Sequence, residues 1–260
     1  MLLEKSQEVN GIQVCYRAVG QGPTILMLHG WGRGSVAYAQ VMEGLAEKGY
    51  QVIVPDLPGF GGTEPPKEAW GVDEYAQFAF QFSQKLGLAK FYLLGHSFGG
   101  QVAVKLATGH PELVQGLILY AAAVIRRRPK ARTKAIQAIA RAGNSMLSVS
   151  PFSVFKKPMR KVFYRLFGIG SASYSQGVMK EVREKIIRQD LSHLLPNVSL
   201  PALILWGDKD KSTPVEDAHL VKEKIPQASL IVFRGASHLI HQEVPEEFVY
   251  HIAKFCSEKQ

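Results

Sequence analysis

YLLGHSFGGQVAVKLA, residues 92–107, changes its hydrophobic pattern halfway along. The apolar residues up to Leu94 predict a buried strand, whereas the spacing after Gly100 predicts a helix. Ser97 stands between the two, in the sequence Gly-His-Ser-Phe-Gly of residues 95–99. A sharp turn from strand to helix strains its central residue, and small flanking residues let neighbouring backbone approach closely. The pattern therefore predicts a serine hydroxyl exposed above one edge of a sheet.

Strand and helix patterns alternate on both sides of this turn. The chain begins with a predicted antiparallel hairpin, Leu2–Val9 and Gln13–Val19, that turns at Asn10-Gly11. Buried strands are predicted at Thr24–Leu28, Gln51–Val54, Phe91–Leu94, Gly116–Tyr120, Ala202–Trp206 and Leu230–Phe233. Helices are predicted at Val36–Lys48, Val72–Leu86, Gly99–Thr108, Val215–Lys224 and Glu246–Cys256. This alternation indicates an α/β fold, a mostly parallel sheet with helices on both faces.

The alternation stops after Tyr120 and resumes near Ala202. A chain of 260 residues, of which 46% are hydrophobic, fits one large domain with an insertion. We therefore predict a core of residues 1–122 and 196–260 and a basic helical cap of residues 123–195. The cap is expected above the carboxyl edge of the sheet, where open sheets of this kind bind ligands.

The net charge of +9 comes from the predicted cap. Between Glu112 and Glu181 the sequence has 13 Lys and Arg and no acidic residue, whereas the remainder has 18 basic and 22 acidic residues. The chain is therefore a mildly acidic body with one strongly basic segment.

A serine becomes a good nucleophile only when a histidine takes its proton and a carboxylate orients that histidine. Of the eight histidines, His238 follows a predicted strand at the same sheet edge as Ser97. Asp208 and Asp210 follow the preceding predicted strand, and either carboxylate can approach His238. Asp210 has the better reach because it lies farther along the loop.

The other histidines are expected to be structural or exposed. We interpret His96 and His29 as packing residues and His241 as a local packing or capping residue, with the remaining four at the surface: His110, His193, His219 and His251. His238 and His241 have H-x-x-H spacing, but no matching glutamate or cysteine motif accompanies them, so no metal is expected. Cys15 and Cys256 are predicted to be free thiols.

The glycine-rich loop LHGWGRG, residues 28–34, follows another predicted strand. Acyl transfer through a tetrahedral intermediate needs hydrogen-bond donors for its oxyanion. We predict that the backbone amides of Trp31 and Phe98 are these donors. The side chain of Trp31 is expected either to wall an acyl pocket or to serve packing alone.

Taken in order, these motifs resemble those of the alpha/beta-hydrolase family, of the serine esterase type. The matching stretches are G-x-S-x-G at 95–99, His-Gly at 29–30, PDLPGFGGT at 55–63, GDKDKSTP at 207–214 and ASHLIHQEVP at 236–245. The order Ser, Asp, His is that of the family. The resemblance implies Ser97 as nucleophile, His238 as base and then acid, and Asp210, four residues before Pro214, as the orienting carboxylate. It implies no cofactor. Ser237 replaces the usual glycine before the late histidine, a small change.

The resemblance implies hydrolysis of carboxylic esters through an acyl-enzyme. Alternatives are a lipase or monoacylglycerol hydrolase, a carbon-carbon bond hydrolase, and a ligand receptor without turnover. The expected substrate is a small-molecule ester, and candidate pocket residues besides Trp31 are Phe152, Phe155 and Phe163.

The basic segment has several interpretations. Arg126, Arg127, Arg128, Lys130 and Arg132 form a solvated helix face, or dock an acidic partner. The basic cap and the HGWG turn resemble an esterase that demethylates pimeloyl groups carried on acyl carrier protein, which is acidic. An anionic membrane surface is a further alternative, and nucleic-acid binding is not expected because no reading module is present. The charged N-terminus and the lack of a long apolar run predict a cytoplasmic protein.

Overall fold

The computed structural model of the chain describes residues 2–126 and 177–259. Most of the predicted cap, residues 127–176, lies outside the described residues. The described residues include Ser97, Asp210, His238 and the loop of residues 28–34, so they contain every residue proposed for the chemical step.

One eight-stranded sheet organises the described part of the chain. Its strands are β1 (Leu3–Val9), β2 (Ile12–Val19), β3 (Thr24–Leu28), β4 (Gln51–Pro55), β5 (Phe91–His96), β6 (Val114–Tyr120), β7 (Ala202–Gly207) and β8 (Ser229–Phe233). The strand order is β1-β2-β4-β3-β5-β6-β7-β8. β1, β2 and β4 pair antiparallel, and every pairing from β4 to β8 is parallel. The fold is the mostly parallel α/β sheet that the sequence predicts.

The described α-helices connect and cover these strands. They are α1 (Ala39–Glu47), α2 (Val72–Lys85), α3 (Phe98–Gly109), α4 (Val178–Ile186), α5 (Val215–Lys224), α6 (Ile240–Glu243) and α7 (Pro245–Ser257). α1 packs against α7, and α2 packs against α3. The connections through α1 and α3 run in opposite directions from the centre of the sheet. Right-handed crossovers of this kind place their helices on opposite faces.

The N-terminal hairpin turns where the sequence predicts. Asn10 has φ 50° and Gly11 has φ 77°, and the register pairs Val9 with Ile12. Two successive residues with positive φ form the turn whose twist matches that of the flanking strands. The turn thereby fixes the register of β1 on β2.

One predicted helix has a different start. Residues Ser35–Tyr38 form a 3-10 turn, and α1 begins only at Ala39, whereas the sequence predicts a continuous helix over 36–48. The amide of Ser35 donates to the buried carboxylate of Asp56, which holds this first turn against another loop. A long-range hydrogen bond therefore overrides the local helical pattern.

β5 and β7 lie in the middle of the core. All six residues of each strand are buried, because helices cover both faces of the sheet. This burial explains why residues 91–94 and 202–206 of these strands are continuous apolar runs without alternation. The carboxyl ends of these parallel strands meet at one edge of the sheet, where the loops that carry Ser97 and Asp210 begin.

Residues 1–126 and 178–260 form one compact unit, which includes α4 and the stretch after it. Val182, Ile186, Leu191 and Leu195 are buried there. The predicted division into a core of residues 1–122 and 196–260 and a cap of residues 123–195 stays a prediction.

The turn from β5 to α3 is closed by glycines. A Cβ on Gly99 would lie 2.1 Å from the carbonyl oxygen of Leu28, and one on Gly95 would lie 2.5 Å from that of Gly99. Neither position has room for a side chain, since backbone atoms cannot yield as a flexible side chain does. The glycines therefore bring α3 against the end of β3.

We predict that Gly99→Ala lowers the free energy of unfolding by about 3 kcal/mol or more, because the added methyl group must displace backbone. Urea unfolding followed by circular dichroism measures the change. Gly109→Ala, at the last position of the same helix, is the matched control, because nothing lies within 4 Å of its Cβ. Equal losses in the two variants would contradict the steric argument.

Candidate active site

Ser97 occupies the turn between β5 and α3 in a strained conformation. Its φ is 53° and its ψ is −111°, a region that few residues other than glycine adopt. The Ser97 amide donates to Tyr120 O at 3.0 Å, and Ser97 O accepts from Gly100 N and Ala123 N, also at 3.0 Å each. These hydrogen bonds fix the backbone and keep the side chain half-buried at the carboxyl edge of the sheet.

His238 and Asp210 form a direct hydrogen bond at the same edge. His238 Nδ1 and Asp210 Oδ2 are 2.6 Å apart, and the Asp210 carboxylate is fully buried. The two residues follow the neighbouring parallel strands β8 and β7. A carboxylate only accepts hydrogen bonds, so the proton lies on Nδ1 and the lone pair of a neutral imidazole lies on Nε2. That is the tautomer a histidine needs to take a proton from a serine hydroxyl.

The surroundings of Asp210 favour its charged form. Oδ1 accepts from the amides of Ser212 and Thr213 at 2.7 Å and 2.9 Å, and Oδ2 accepts from the Thr213 hydroxyl at 2.8 Å. Burial alone would raise the pKa of Asp210. The hydrogen bond and electrostatic interaction with His238, together with the hydrogen bonds from the amide and hydroxyl of Thr213, outweigh burial and hold the pKa below its ordinary value of 3.8.

Asp208 has a different role in the structure. Its Oδ1 accepts from the amide of Gly235 at 2.7 Å and so ties the β7 loop to the turn after β8. The sequence favours Asp210 over Asp208 as the partner of His238, and the carboxylate of Asp210 makes that contact.

The predicted oxyanion residues lie on two different loops. Phe98 is the first residue of α3, so its amide belongs to the group of helix N-H groups that have no partner within the helix. Trp31 lies in the turn after β3, with its ring 5.6 Å from that of Phe98 and 4.9 Å from that of Phe60. Their role as oxyanion donors stays a prediction.

Asp56 anchors the loop that carries Trp31. Its buried carboxylate accepts from Ser35 N at 2.5 Å and from Gly62 N at 2.9 Å. On the other side of the loop, the ring of His29 accepts from Leu57 N at 3.0 Å. The sequence analysis predicts no role for Asp56. The available signal is its position directly after β4, within the stretch PDLPGFGGT of residues 55–63.

The remaining histidines divide into buried and accessible groups. His29, His96 and His241 are buried, in keeping with their predicted packing roles. His193 and His219 are exposed, while His110 stacks on Phe80 and His251 lies 3.8 Å from Glu247, both half-buried. Within the described ranges, no group of three or more His, Cys, Asp or Glu side chains could hold a metal ion. Cys15 and Cys256 are both free thiols.

Arg126 is held by the protein itself. Its Nε donates to Gln189 O at 3.1 Å and its Nη2 to Ile186 O at 3.2 Å, at the end of α4. Burial lowers the pKa of its guanidinium, and the side chain caps a helix. The other predicted docking residues, and three of the four pocket candidates, lie outside the described residues: Arg127, Arg128, Lys130, Arg132, Phe152, Phe155 and Phe163.

Comparison with known proteins agrees with the fold. The family model described as the alpha/beta hydrolase fold matches residues 23–147. The pimeloyl-[acyl-carrier protein] methyl ester esterase of Vibrio vulnificus is 27% identical over 260 residues, covering 93% of this chain and 97% of that protein. Lipase 3 of a Moraxella species is 25% identical over 229 residues, covering 84% and 72%. The solved esterase of Exiguobacterium antarcticum superposes with a TM-score of 0.75 at 26% identity, covering 96% and 97%.

With this sheet order and these comparisons, the chain has the alpha/beta hydrolase fold and is similar to esterases with that fold. Across residues 2–126 and 177–259, no helix combines the length and the hydropathy that a bilayer span requires.

The lowered pKa of Asp210 predicts a pH-dependent loss of stability in Asp210→Asn. Because the pKa is lower in the folded than in the unfolded chain, the charged carboxylate stabilises the fold above about pH 4 and ceases to do so as the pH falls through the folded pKa. At pH 7 we expect the variant to unfold with about 1.5–3 kcal/mol less free energy than the wild type. The difference should shrink toward about pH 3 in urea titrations.

Asp208→Asn is the matched control for this measurement. It removes a carboxylate that accepts one amide nearer the surface, so the expected loss is below about 1 kcal/mol. A wild-type advantage over Asp210→Asn that stays constant from pH 7 to about pH 3 would contradict the assignment of the charged form.

Proposed function

We propose that the protein is a serine hydrolase that cleaves carboxylic esters through an acyl-enzyme intermediate. The observation that carries the proposal is the 2.6 Å hydrogen bond between His238 Nδ1 and Asp210 Oδ2 at the sheet edge that holds Ser97. A histidine in this tautomer, beside a charged carboxylate and near a strained serine turn, is equipped for nucleophilic acyl transfer.

In the proposed first step, Ser97 Oγ attacks the ester carbonyl carbon while His238 Nε2 takes the hydroxyl proton. The carbonyl oxygen becomes an oxyanion, which the amides of Trp31 and Phe98 stabilise. Collapse of this intermediate breaks the bond to the alcohol oxygen, and His238 returns its proton to that alcohol. Asp210 stabilises the imidazolium in between and remains charged.

The second step regenerates the enzyme. Water gives a proton to His238 Nε2 as its oxygen attacks the acyl carbon, and a second oxyanion forms in the same place. Its collapse breaks the bond to Ser97 Oγ, which takes the proton back from His238, and the carboxylic acid leaves. Each proton taken is returned, so the cycle needs no cofactor.

The relatives support ester substrates by their names, as a methyl ester esterase, a lipase and an esterase. The rings of Trp31, Phe60 and Phe98 lie 4.9 to 6.3 Å apart, in edge-on and tilted contacts beside the serine turn. Trp31 is half-buried. We infer that this aromatic group is one wall of the acyl pocket and favours apolar acyl chains.

We expect the wild type to hydrolyse p-nitrophenyl esters with an optimum in acyl length, and Ser97→Ala to lower kcat at least about a thousandfold. Release of p-nitrophenol measures both. His238→Gln should lose a similar factor, because both variants disable the same proton transfer. Asp210→Asn should lose activity and Asp208→Asn should retain it.

The two aspartate variants also separate a specific role from a general one. If Asp208→Asn lost as much activity as Asp210→Asn, the assignment of the orienting carboxylate would be wrong. A folded wild type without turnover at any acyl length would favour a ligand receptor or a narrower substrate.

A second candidate is a narrower version of the same activity, hydrolysis of a methyl ester carried on acyl carrier protein. The Vibrio vulnificus relative with that name matches nearly the full length of both chains. The run of Arg and Lys after Glu112 would attract an acidic carrier. Of the predicted docking residues, Arg126 is excluded from this hypothesis, because its guanidinium donates to two backbone carbonyls.

For this candidate, we expect Arg127→Glu with Arg128→Glu to raise KM for a carrier-bound pimeloyl methyl ester about tenfold or more by weakening electrostatic attraction. KM for p-nitrophenyl esters should not change. The control is Lys85→Glu with Lys90→Glu, an equal charge change near the start of β5, at the opposite sheet edge from Ser97. Equal effects of the two double variants would contradict docking through the basic segment.

A further inference from the structure

Four aromatic polar residues are buried together behind His238. Tyr38, His96, Tyr120 and His241 have exposed fractions of 0 to 2%. The rings of His96 and Tyr120 stack with centroids 4.1 Å apart, and those of Tyr38 and His241 stack at 4.6 Å. None of these side chains takes part in the proposed chemical steps. Burying so many polar atoms is costly unless they are paired, so their hydrogen bonds indicate what they do.

Hydrogen bonds from two of these residues converge on the main-chain carbonyl of His238. His96 Nε2 lies 3.2 Å from His238 O, and the Tyr120 hydroxyl donates to the same oxygen at 2.9 Å. A carbonyl oxygen has two lone pairs, and both are used here. The backbone of His238 is thereby held from β5 and from β6.

His96, the first of these donors, is the last donor in a series of hydrogen bonds that all point in the same direction. Because a carbonyl only accepts, His96 Nε2 carries the proton, and Nδ1 of the neutral ring is an acceptor. The Tyr38 hydroxyl is 2.6 Å from Nδ1 and donates to it, while the Tyr38 oxygen accepts from Gly30 N at 3.3 Å. This series of hydrogen bonds runs from the loop beside Trp31, through Tyr38 and His96, to His238.

The second donor, the Tyr120 hydroxyl, has a further ring neighbour. His241 Nδ1 lies 2.8 Å from the Tyr120 oxygen, and the hydroxyl lies 2.9 Å from His238 O. The amide of His241 also donates to the Tyr120 oxygen, at 3.4 Å. Tyr120 is therefore held between the main chain of His238 and His241.

The charge states agree with this proton assignment. Burial and the neighbouring His238 and His241 lower the pKa of His96 well below its ordinary value. Burial, together with Arg33 and His238, lowers the pKa of His241 to about 4. Both rings are neutral at pH 7, and His96 must be, because its Nε2 donates while its Nδ1 accepts.

We propose that Tyr38, His96 and Tyr120 are positioning residues that hold the main chain of His238 and the loop of Gly30 in register with Ser97. His96 is the residue before Ser97, so one side chain joins the nucleophile turn to both other loops. This inference rests on the proposed function only in taking His238 as the base; the hydrogen bonds themselves are independent of it.

The smallest change that tests this series of hydrogen bonds is Tyr38→Phe. It keeps the stacked ring, but His96 Nδ1 and the Gly30 amide lose their partner. The His96 proton is then no longer confined to Nε2, and the donor to His238 O is lost part of the time. We expect kcat for a p-nitrophenyl ester to fall about 10- to 100-fold, because small displacements of a catalytic group are that costly. KM should stay within about twofold, since no substrate contact changes.

Two further variants separate positioning from packing. His96→Leu removes the donor, whereas His96→Gln restores an N-H group at about the distance of Nε2. We expect the glutamine variant to recover at least about tenfold of the kcat that leucine loses. Tyr120→Phe removes the other donor and should lower kcat in the same way as Tyr38→Phe.

Tyr92→Phe is the matched control. Tyr92 is fully buried on β5, and its hydroxyl donates to Cys256 O at 2.7 Å, remote from the loops of the site. It should lower the melting temperature about as much as Tyr38→Phe and leave kcat unchanged. Equal kcat in Tyr38→Phe, Tyr120→Phe and Tyr92→Phe would overturn the proposal.

A readout without turnover keeps this test separate from that of the proposed function. The proton between His238 Nδ1 and Asp210 Oδ2 gives a downfield NMR signal whose sharpness reports how firmly His238 is held. We expect this signal to broaden in Tyr38→Phe and His96→Leu and to stay sharp in Tyr92→Phe and His96→Gln. A sharp signal in all variants overturns the positioning role even if the wild type cleaves no ester. A lack of Ser97-dependent turnover, with the expected broadening, overturns only the ester hydrolase.

Discussion

The close approach of α3 to the end of β3 is the constraint on which the site depends. Gly99 faces the Leu28 carbonyl with no space for a Cβ, so the first turn of α3 lies directly against the strand that precedes the loop of Trp31. Two features of the site lie in this same turn. Ser97 has a positive φ at the head of the helix, and the Phe98 amide lies at the positive end of the helix dipole. A larger residue at position 99 would separate the serine turn from the loop, whatever the other side chains of the site were.

The site also combines one buried charged group, the Asp210 carboxylate, with buried neutral imidazole rings. Asp210 is buried but charged, because His238, Thr213 and Ser212 donate to its carboxylate. His96 and His241 are buried and neutral, because burial lowers the pKa of both. Charged rings at those two positions would repel the imidazolium that His238 forms in the proposed cycle. As neutral rings, they supply N-H dipoles and rigid stacking without opposing that charge.

Much of this arrangement could be predicted from the sequence, because its main determinants are local. Apolar runs such as β5 and β7 identify the buried strands, and the order of the strands places Ser97, Asp210 and His238 at one edge. What could not be predicted depends on contacts between distant residues. Tyr38 binds His96 across 58 positions of sequence, and the Asp56 carboxylate turns the predicted start of α1 into a 3-10 turn. Arg126 lies in a basic run that suggests a solvated face or a docking surface, but its side chain donates to backbone carbonyls at the end of α4. The distribution of charge along the sequence does not show which basic side chains bind the end of a helix.

The hydrogen bonds around His238 indicate that the buried residues Tyr38, His96, Tyr120 and His241 do more than fill space. Packing would be satisfied by any rings of similar size, whereas both donors to His238 O need a particular proton placement. Tyr38 sets that placement in His96, and the Tyr120 hydroxyl lies between His238 O and His241 Nδ1. The His96 donor to the backbone of the proposed base is thus oriented by a further residue, as Asp210 orients the ring of that base. The ring and the main chain of His238 are therefore held by separate sets of partners, so a substitution in one set can weaken the position of the histidine without changing its tautomer.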